Sequence, residues 1–209
     1  MNTSALIYDL EIVNAIPGRN EPPIDGITYC EGWHDHDHMG ISVIGCYDYA
    51  EDRYRVFCAD NWEEFYALCN ERDVLVGFNS IPFDNAVLDA TLGGDEGAMD
   101  ESKCYDLLRE TWAAAGLGPD FRYPSHAGYG LDAICERNFG IRKTGHGAVA
   151  PVLWQQGKVG RVIDYCLNDI RMTKRLFDQV LDRKPIINPK TGNELLLRAP
   201  KREESDGQT

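Results

Sequence analysis

The chain has 209 residues, a formal net charge of −13 and 43% hydrophobic residues, enough for one domain with a buried core and accessory loops. No run approaches the roughly 18 uninterrupted apolar residues of a membrane span. Seven scattered cysteines without a CxxC pair argue against a disulfide framework and against a thiolate zinc site, so reduced, mostly buried thiols are expected. The start, MNTSALIYDLEIV, carries no basic leader region, which leads to the expectation of a cytoplasmic protein with no membrane partner.

The charge is unevenly spread. Residues 1–105 hold 5 basic against 21 acidic side chains, net −16, whereas residues 106–209 hold 16 against 13, net +3. An acidic half facing a mildly basic one suits an enzyme whose cations mediate contact with phosphate and whose affinity is weak and salt-sensitive. The alternative is a charge that only keeps the chain soluble.

SALIYDLEIV, residues 4–13, reads as a buried strand with Ile7, Asp9 and Glu11 on one face and Leu6, Tyr8 and Leu10 on the other. A Pro/Gly-rich stretch from about Asn14 to Met39 is too long for a simple connection and is expected to be a functional loop. ISVIGCYDY and RYRVFCA predict an antiparallel pair turning at Ala50–Asp52. NWEEFYALCNER predicts a helix with Asn61 as its N-cap. VLVGFN is read as a short buried strand, PFDNAVLDATL as the helix after it, and CYDLLRETWAAAG as a strand end running into a helix.

GLGPDFRYPSHAGYG is a second Gly/Pro loop, LDAICERNFG a helix closed by Gly140, and GRVIDYCLNDIRMTKRLFDQVLD the clearest helix, with an apolar stripe at Val162, Cys166, Ile170, Thr173, Phe177 and Val180. Residues 184–209 are expected to add a hairpin, PIINPKTGNELLL, and a disordered tail, KREESDGQT, to a domain spanning 1–183. A meander followed by alternating strands and helices predicts an α/β fold, a mixed sheet of about five strands flanked by helices.

Three acidic motifs recur in order along this plan: Asp9 and Glu11 in YDLE, Asp84 in GFNSIPFD, and Tyr165 with Asp169 in YCLND. Strand alternation puts Asp9 and Glu11 on one face, and the four-residue spacing puts Tyr165 and Asp169 on one face of a helix. Four carboxylates converging from separate segments can hold two divalent cations. Each motif also has a plainer reading: a solvated edge strand for DLE, a helix-start carboxylate for Asp84, and a core aromatic for Tyr165.

Asp164 lies about 100° around the helix from Tyr165 and is expected to face solvent. Asn79, at a strand exit, is either a turn residue or a polar contact to substrate.

In that order and spacing, YDLE, GFNSIPFD and YCLNDIRMTKRLF resemble the three exonuclease motifs of the DEDD superfamily, the DnaQ-like branch of the ribonuclease-H-like fold. The resemblance runs from about residue 5 to residue 180. The second motif is similar to that of the proofreading domain of family-B DNA polymerases. Tyr165 four residues before Asp169, with Asp164 rather than His five before, resembles the DEDDy subtype.

The resemblance implies a 3′→5′ exonuclease in which Asp9, Glu11, Asp84 and Asp169 ligate two Mg²⁺ or Mn²⁺ ions, Asp9 bridging them, while Tyr165 positions the attacking water. Single-stranded DNA, or RNA, is the implied partner, with substrate contacts expected at Leu10, Ile12, Asn79, Phe83 and Lys143. Many relatives carry Thr after the Glu of the first motif. Here Ile12 stands, so that contact must be apolar or made by backbone. The rest of a polymerase is not in this sequence, which leaves a stand-alone nuclease or a subunit acting with a polymerase in trans. The rivals are an RNA-trimming ribonuclease and a catalytically silent binding module.

Other residues carry weaker expectations. His34, His36 and His38 alternate as metal ligands do, but the interleaved Asp residues favour a solvated loop. Asp106 is either a fifth carboxylate or a helix-start residue. Arg142, Lys143 and His146 follow a helix end where they either hold a phosphate backbone or form a solvated basic loop, whereas Arg171, Lys174 and Arg175 are read as a solvated face. Trp33, Tyr123, Tyr129 and Trp154 are candidates for stacking on unpaired bases, with none singled out.

Overall fold

The computed structural model describes residues 4–93, 99–142 and 147–200. Its centre is a five-stranded mixed sheet. Strand β1 (Ala5–Ile12) pairs antiparallel with β2 (Ile41–Asp48), which pairs antiparallel with β3 (Arg53–Phe57). On its other side β1 runs parallel to β4 (Val74–Gly77), and β4 parallel to β5 (Cys104–Asp106), giving the order β3-β2-β1-β4-β5.

The alternation in β1 divides the core as its sequence predicts. Ala5 and Ile7 join one apolar cluster, and Leu6, Tyr8, Leu10 and Ile12 join another on the opposite face. The second face is covered by α1 (Trp62–Glu71) and α2 (Asp84–Leu92), which contribute Phe65, Leu68, Val87 and Leu88. The first is covered by α4 (Leu131–Phe139), α5 (Ala150–Gln155) and α6 (Val159–Leu181). Helix α3 (Leu107–Ala114) follows β5 directly. Burying a side chain such as Phe65 or Phe177, both 0% exposed, contributes about 1.5–3 kcal/mol each.

All six residues of the stripe expected on α6 are buried. Helix α4 ends at Gly140, whose φ of 68° is the left-handed conformation that closes helices. Asn61 does stand before α1, but its Oδ1 accepts from the Cys58 amide at 2.7 Å instead of capping the helix. The turn leaving β3 takes that oxygen first. Helix α5 has no counterpart among the expected elements, because six residues with Pro151 in the first turn carry too little periodicity to read. Lys174, expected on a solvated face, instead packs its ammonium over the rings of Tyr47 and Tyr49 and bonds Asp178.

The C-terminal hairpin, β6 (Ile186–Ile187) with β7 (Glu194–Leu195), packs Ile186, Leu195 and Leu197 into the same cluster as α4 and α6. The tail at 201–209 lies outside the described residues. All seven cysteines are free. Among the described residues no helix is long and apolar enough to cross a membrane.

Candidate metal centre and active site

Strand β1 presents Asp9 opposite Gly45 and Glu11 opposite Val43 on β2. Just beyond, the register slips between Glu11 and Ile12, where Ser42 donates its hydroxyl to the carbonyls of Glu11 (2.9 Å) and Ile12 (3.3 Å). Such irregularities often sit beside functional residues. A carboxylate oxygen of Asp9, one of Glu11 and the Cys166 sulfur all lie within 4.8 Å of one another, close enough to share an ion.

Helix α6 reaches this point because β2 has no side chain there. A Cβ on Gly45 would stand 2.7 Å from the Cys166 sulfur and 3.4 Å from Ile170. Cys166 settles into the gap with its sulfur 3.5 Å from the Asp9 carbonyl oxygen and 3.9 Å from Asp9 Oδ2. Burial, then the charges of Asp9 and Glu11, push its thiol well up, and the Asp169 charge adds to the shift. Asp169, buried, follows Cys166 by one turn, and half-buried Tyr165 precedes it on the same side of the helix.

We expect Gly45→Val to force α6 off the sheet, costing about 1–3 kcal/mol as overpacking does. Denaturant melts would show the loss, and a nuclease assay should show a larger fall in activity than stability alone explains.

Asp84 arrives from the other side. Strand β4 ends at Gly77, where a Cβ would collide with Ser80 at 2.3 Å, so only glycine lets the chain fold back so tightly. Asn79 takes φ 63° in that turn, a conformation Asn tolerates better than most residues. Buried Asp106 holds the turn, accepting from the amides of Asn79 (2.9 Å) and Ile81 (3.2 Å) and from Leu108 and Arg109 at the start of α3. It is thus a helix cap that also braces the second motif. The first turn of α2 is fixed further by the Tyr8 hydroxyl, which donates to Asn85 Oδ1.

Asp84 then accepts from the Leu10 amide at 3.0 Å, which docks its carboxylate on β1 between Asp9 and Glu11 in sequence. Burial and the Asp9 charge push Asp84 well above the usual carboxylate range, the Leu10 amide only partly opposing them. A carboxylate set that is largely buried and self-repelling fits a divalent cation, whose charge would oppose both effects.

The sign of this strain is testable without an ion. Because the folded state raises the Asp84 pKa, its ionisation opposes folding, and metal-free stability falls as pH rises from the unfolded value of about 3.9 toward the folded one. Asp84→Asn keeps an acceptor for the Leu10 amide and removes the charge. It should raise the metal-free Tm at pH 7, by about 2–4 °C per kcal/mol relieved, and abolish any further rise on adding Mn²⁺. An unchanged metal-free Tm would contradict the account.

The remaining expected contacts are placed as follows. Leu10 and Ile12 are buried on the face opposite the carboxylates. Phe83 stands immediately before α2, its ring 5.8 Å from Trp33 and 6.2 Å from His36. Lys143 and His146 lie outside the described residues, and Arg142 pairs with Glu136. Asp164 is exposed, as expected. His34, His36 and His38 form no metal-capable group among the described residues, and His38 Nδ1 lies 2.5 Å from Asp35 Oδ1. Cys166 and the bracing by Asp106 escaped sequence reasoning. A lone cysteine gives no signal until Gly45 is known to face Asp9.

A family model of the RNase_H superfamily matches residues 30–181, from the loop before β2 to the end of α6. The chain belongs to the RNase_H superfamily. The matched span holds Asp84, Tyr165 and Asp169 and begins after β1. Among solved structures, this RNase_H superfamily chain is similar to the family B DNA polymerase from the hyperthermophilic archaeon Pyrobaculum calidifontis, with a TM-score of 0.55 and 20% identity over 85% of this chain and 24% of that one. It thus spans about a quarter of that polymerase's length, and the likeness is one of fold. No curated protein matches the chain.

Proposed function

We propose that this RNase_H superfamily chain is a metal-dependent 3′→5′ exonuclease of the DEDDy type, acting on single-stranded nucleic acid and releasing nucleoside 5′-monophosphates. The observation that carries the reading is the docking of Asp84 through the Leu10 amide beside the Asp9–Glu11 pair, in a setting whose electrostatics call for a cation. The superfamily membership supports a nucleic-acid hydrolase. Likeness to a DNA polymerase supports DNA over RNA.

In this reading Asp9, Glu11, Asp84 and Asp169 hold two Mg²⁺ or Mn²⁺ ions. Ions held by these four carboxylates would supply Lewis acidity at the scissile phosphate, easing deprotonation of the attacking water and offsetting charge on the leaving 3′ oxygen. The Tyr165 hydroxyl orients that water, with Gly147 at ordinary contact distance beside it, a Cβ there standing 3.7 Å away. Phe83 and the Leu10–Ile12 backbone contact the terminal nucleotide, Asn79 adds a polar contact at the turn, and Lys143, outside the described residues, is the proposed partner for a phosphate. Asp106 keeps the Asn79–Ile81 turn, and with it Asp84, in register.

The test is a panel of 5′-labelled DNA and RNA oligonucleotides with free or blocked 3′ ends, incubated with Mg²⁺, Mn²⁺ or EDTA. Stepwise shortening only with metal and a free 3′ end is expected. Binding without cleavage would replace this reading by that of a silent nucleic-acid-binding module.

A further inference from the structure

The long loop after β1 presents a feature that the three motifs do not use. Its Trp33 is 65% exposed although its ring lies 5.8 Å from Phe83, the residue immediately before Asp84. The rings are tilted by 58° rather than stacked, and the exposure means that much of the indole faces solvent. The indole thus stands, largely exposed, beside the residue that opens α2, one position before Asp84.

The segment bearing Trp33 is tied down at both ends. Before it, the Ala15 amide donates to the Thr28 carbonyl and the Cys30 amide to the Ala15 carbonyl, each at 3.0 Å. After it, the amides of Val13 (3.1 Å) and Asn14 (2.9 Å) both donate to the Met39 carbonyl, and Met39 itself is fully buried. Between these ties Asp35 staples the turn, accepting from the Glu31 amide at 2.6 Å and facing His38 Nδ1 at 2.5 Å. From α5, Gln155 donates to the carbonyls of Val13 and Thr28 and accepts from the Thr28 amide. Trp33 is therefore displayed from a braced wall, and little ordering entropy remains to be lost when something packs on it.

What packs there is constrained by charge. From Asn14 to Gly40 the loop carries one arginine against five carboxylates, a poor surface for a phosphate backbone. A nucleobase needs no positive charge, and stacking on an aromatic face tolerates any base sequence.

Resting on the exonuclease reading of the adjoining site, we propose that Trp33 is a stacking platform for an unpaired base near the 3′ end, so that this loop, rather than a basic groove, selects single strands. Paired ends are disfavoured because a base must leave its neighbours to reach the indole.

The test compares wild type with Trp33→Ala and Trp33→Phe. Binding is measured by anisotropy on a single-stranded oligonucleotide whose 3′-terminal linkage is a phosphorothioate, and steady-state cleavage on the normal strand. Trp33→Ala should weaken binding and raise KM about ten-fold, the range expected for one stacked base, with kcat at saturation and Tm essentially unchanged. Trp33→Phe should recover most of the affinity, and the preference for single strands over blunt duplexes should shrink in the alanine variant. Wild-type affinity in Trp33→Ala overturns the proposal, as does a fall in kcat with affinity unchanged. A wild type that neither binds nor cleaves any oligonucleotide overturns the exonuclease reading itself, a different result from either.

Discussion

Asp9→Ala and Asp169→Ala are each expected to lower turnover about a thousand-fold or more, the upper range for deleting a single preorganised electrostatic group, while the chain stays folded. The Asp9 carboxylate lies within 4.8 Å of Glu11 and of the Cys166 sulfur, and its charge is the largest Coulombic influence on Asp84. Removing it relieves repulsion, so the metal-free Tm should hold or rise even as activity disappears. The double variant should be little worse than either single one, because groups that act as a unit do not add. Asp164→Ala provides the control. That carboxylate sits on the same helix but is exposed, and its loss should leave turnover nearly unchanged. Single-turnover assays at saturating Mn²⁺ separate these outcomes.

Breaking the Asp48–Arg72 pair is expected to have the largest effect on stability. Asp48, at the end of β2, is 0% exposed, and Arg72, just after α1, is 8% exposed. The guanidinium grips both carboxylate oxygens, Nε to Oδ1 at 3.0 Å and Nη2 to Oδ2 at 2.8 Å, while the Ala50 amide donates to Oδ1 at 3.0 Å. The pair pins the β2–β3 turn to the connection between α1 and β4. Asp48→Ala would leave the buried guanidinium with only the more exposed carboxylates of Glu71 (3.3 Å) and Glu51 (3.8 Å), a loss of about 3–5 kcal/mol from a total stability of roughly 5–15 kcal/mol. Replacing both partners by apolar residues should restore part of it, since the desolvation cost of each ion then vanishes together with their attraction.

The pH dependence follows the opposite sense to that of Asp84. Burial pushes the Asp48 carboxyl up, but the Arg72 bonds and charge, with the Ala50 amide and Arg55, hold it below the usual range. Its contribution is therefore complete above the unfolded value of about 3.9 and is lost as pH falls through the lower folded value. Denaturant melts of wild type and Asp48→Asn should converge as the pH is lowered through this window. A constant difference down to strongly acid pH would show that the charge is not what stabilises the contact.

Much of this was legible in the chain. Alternation in YDLE assigned Asp9 and Glu11 to one face because strand geometry leaves no other choice, and the stripe on α6 fixed which side of that helix meets the sheet. The acidic motifs could be ordered but not docked. What docks Asp84 is a backbone amide, that of Leu10, and backbone donors are the same at every position of a sequence. The approach of α6 depends on a missing side chain at Gly45, whose meaning appears only once the β1–β2 register places it opposite Asp9. Asn61 shows the reverse: the right residue at the right place, turned to the Cys58 amide by a tertiary turn that local propensity does not encode.

The most direct test of the central claim is the anomalous signal of Mn²⁺ in crystals of the wild-type chain grown with a hydrolysis-resistant oligonucleotide. Two ions are predicted, sharing Asp9, with Glu11, Asp84 and Asp169 completing the protein ligands and Tyr165 facing the scissile phosphate. No manganese at the Asp9–Glu11 pair, or ions there with the Asp169 carboxylate turned away from them, would contradict it.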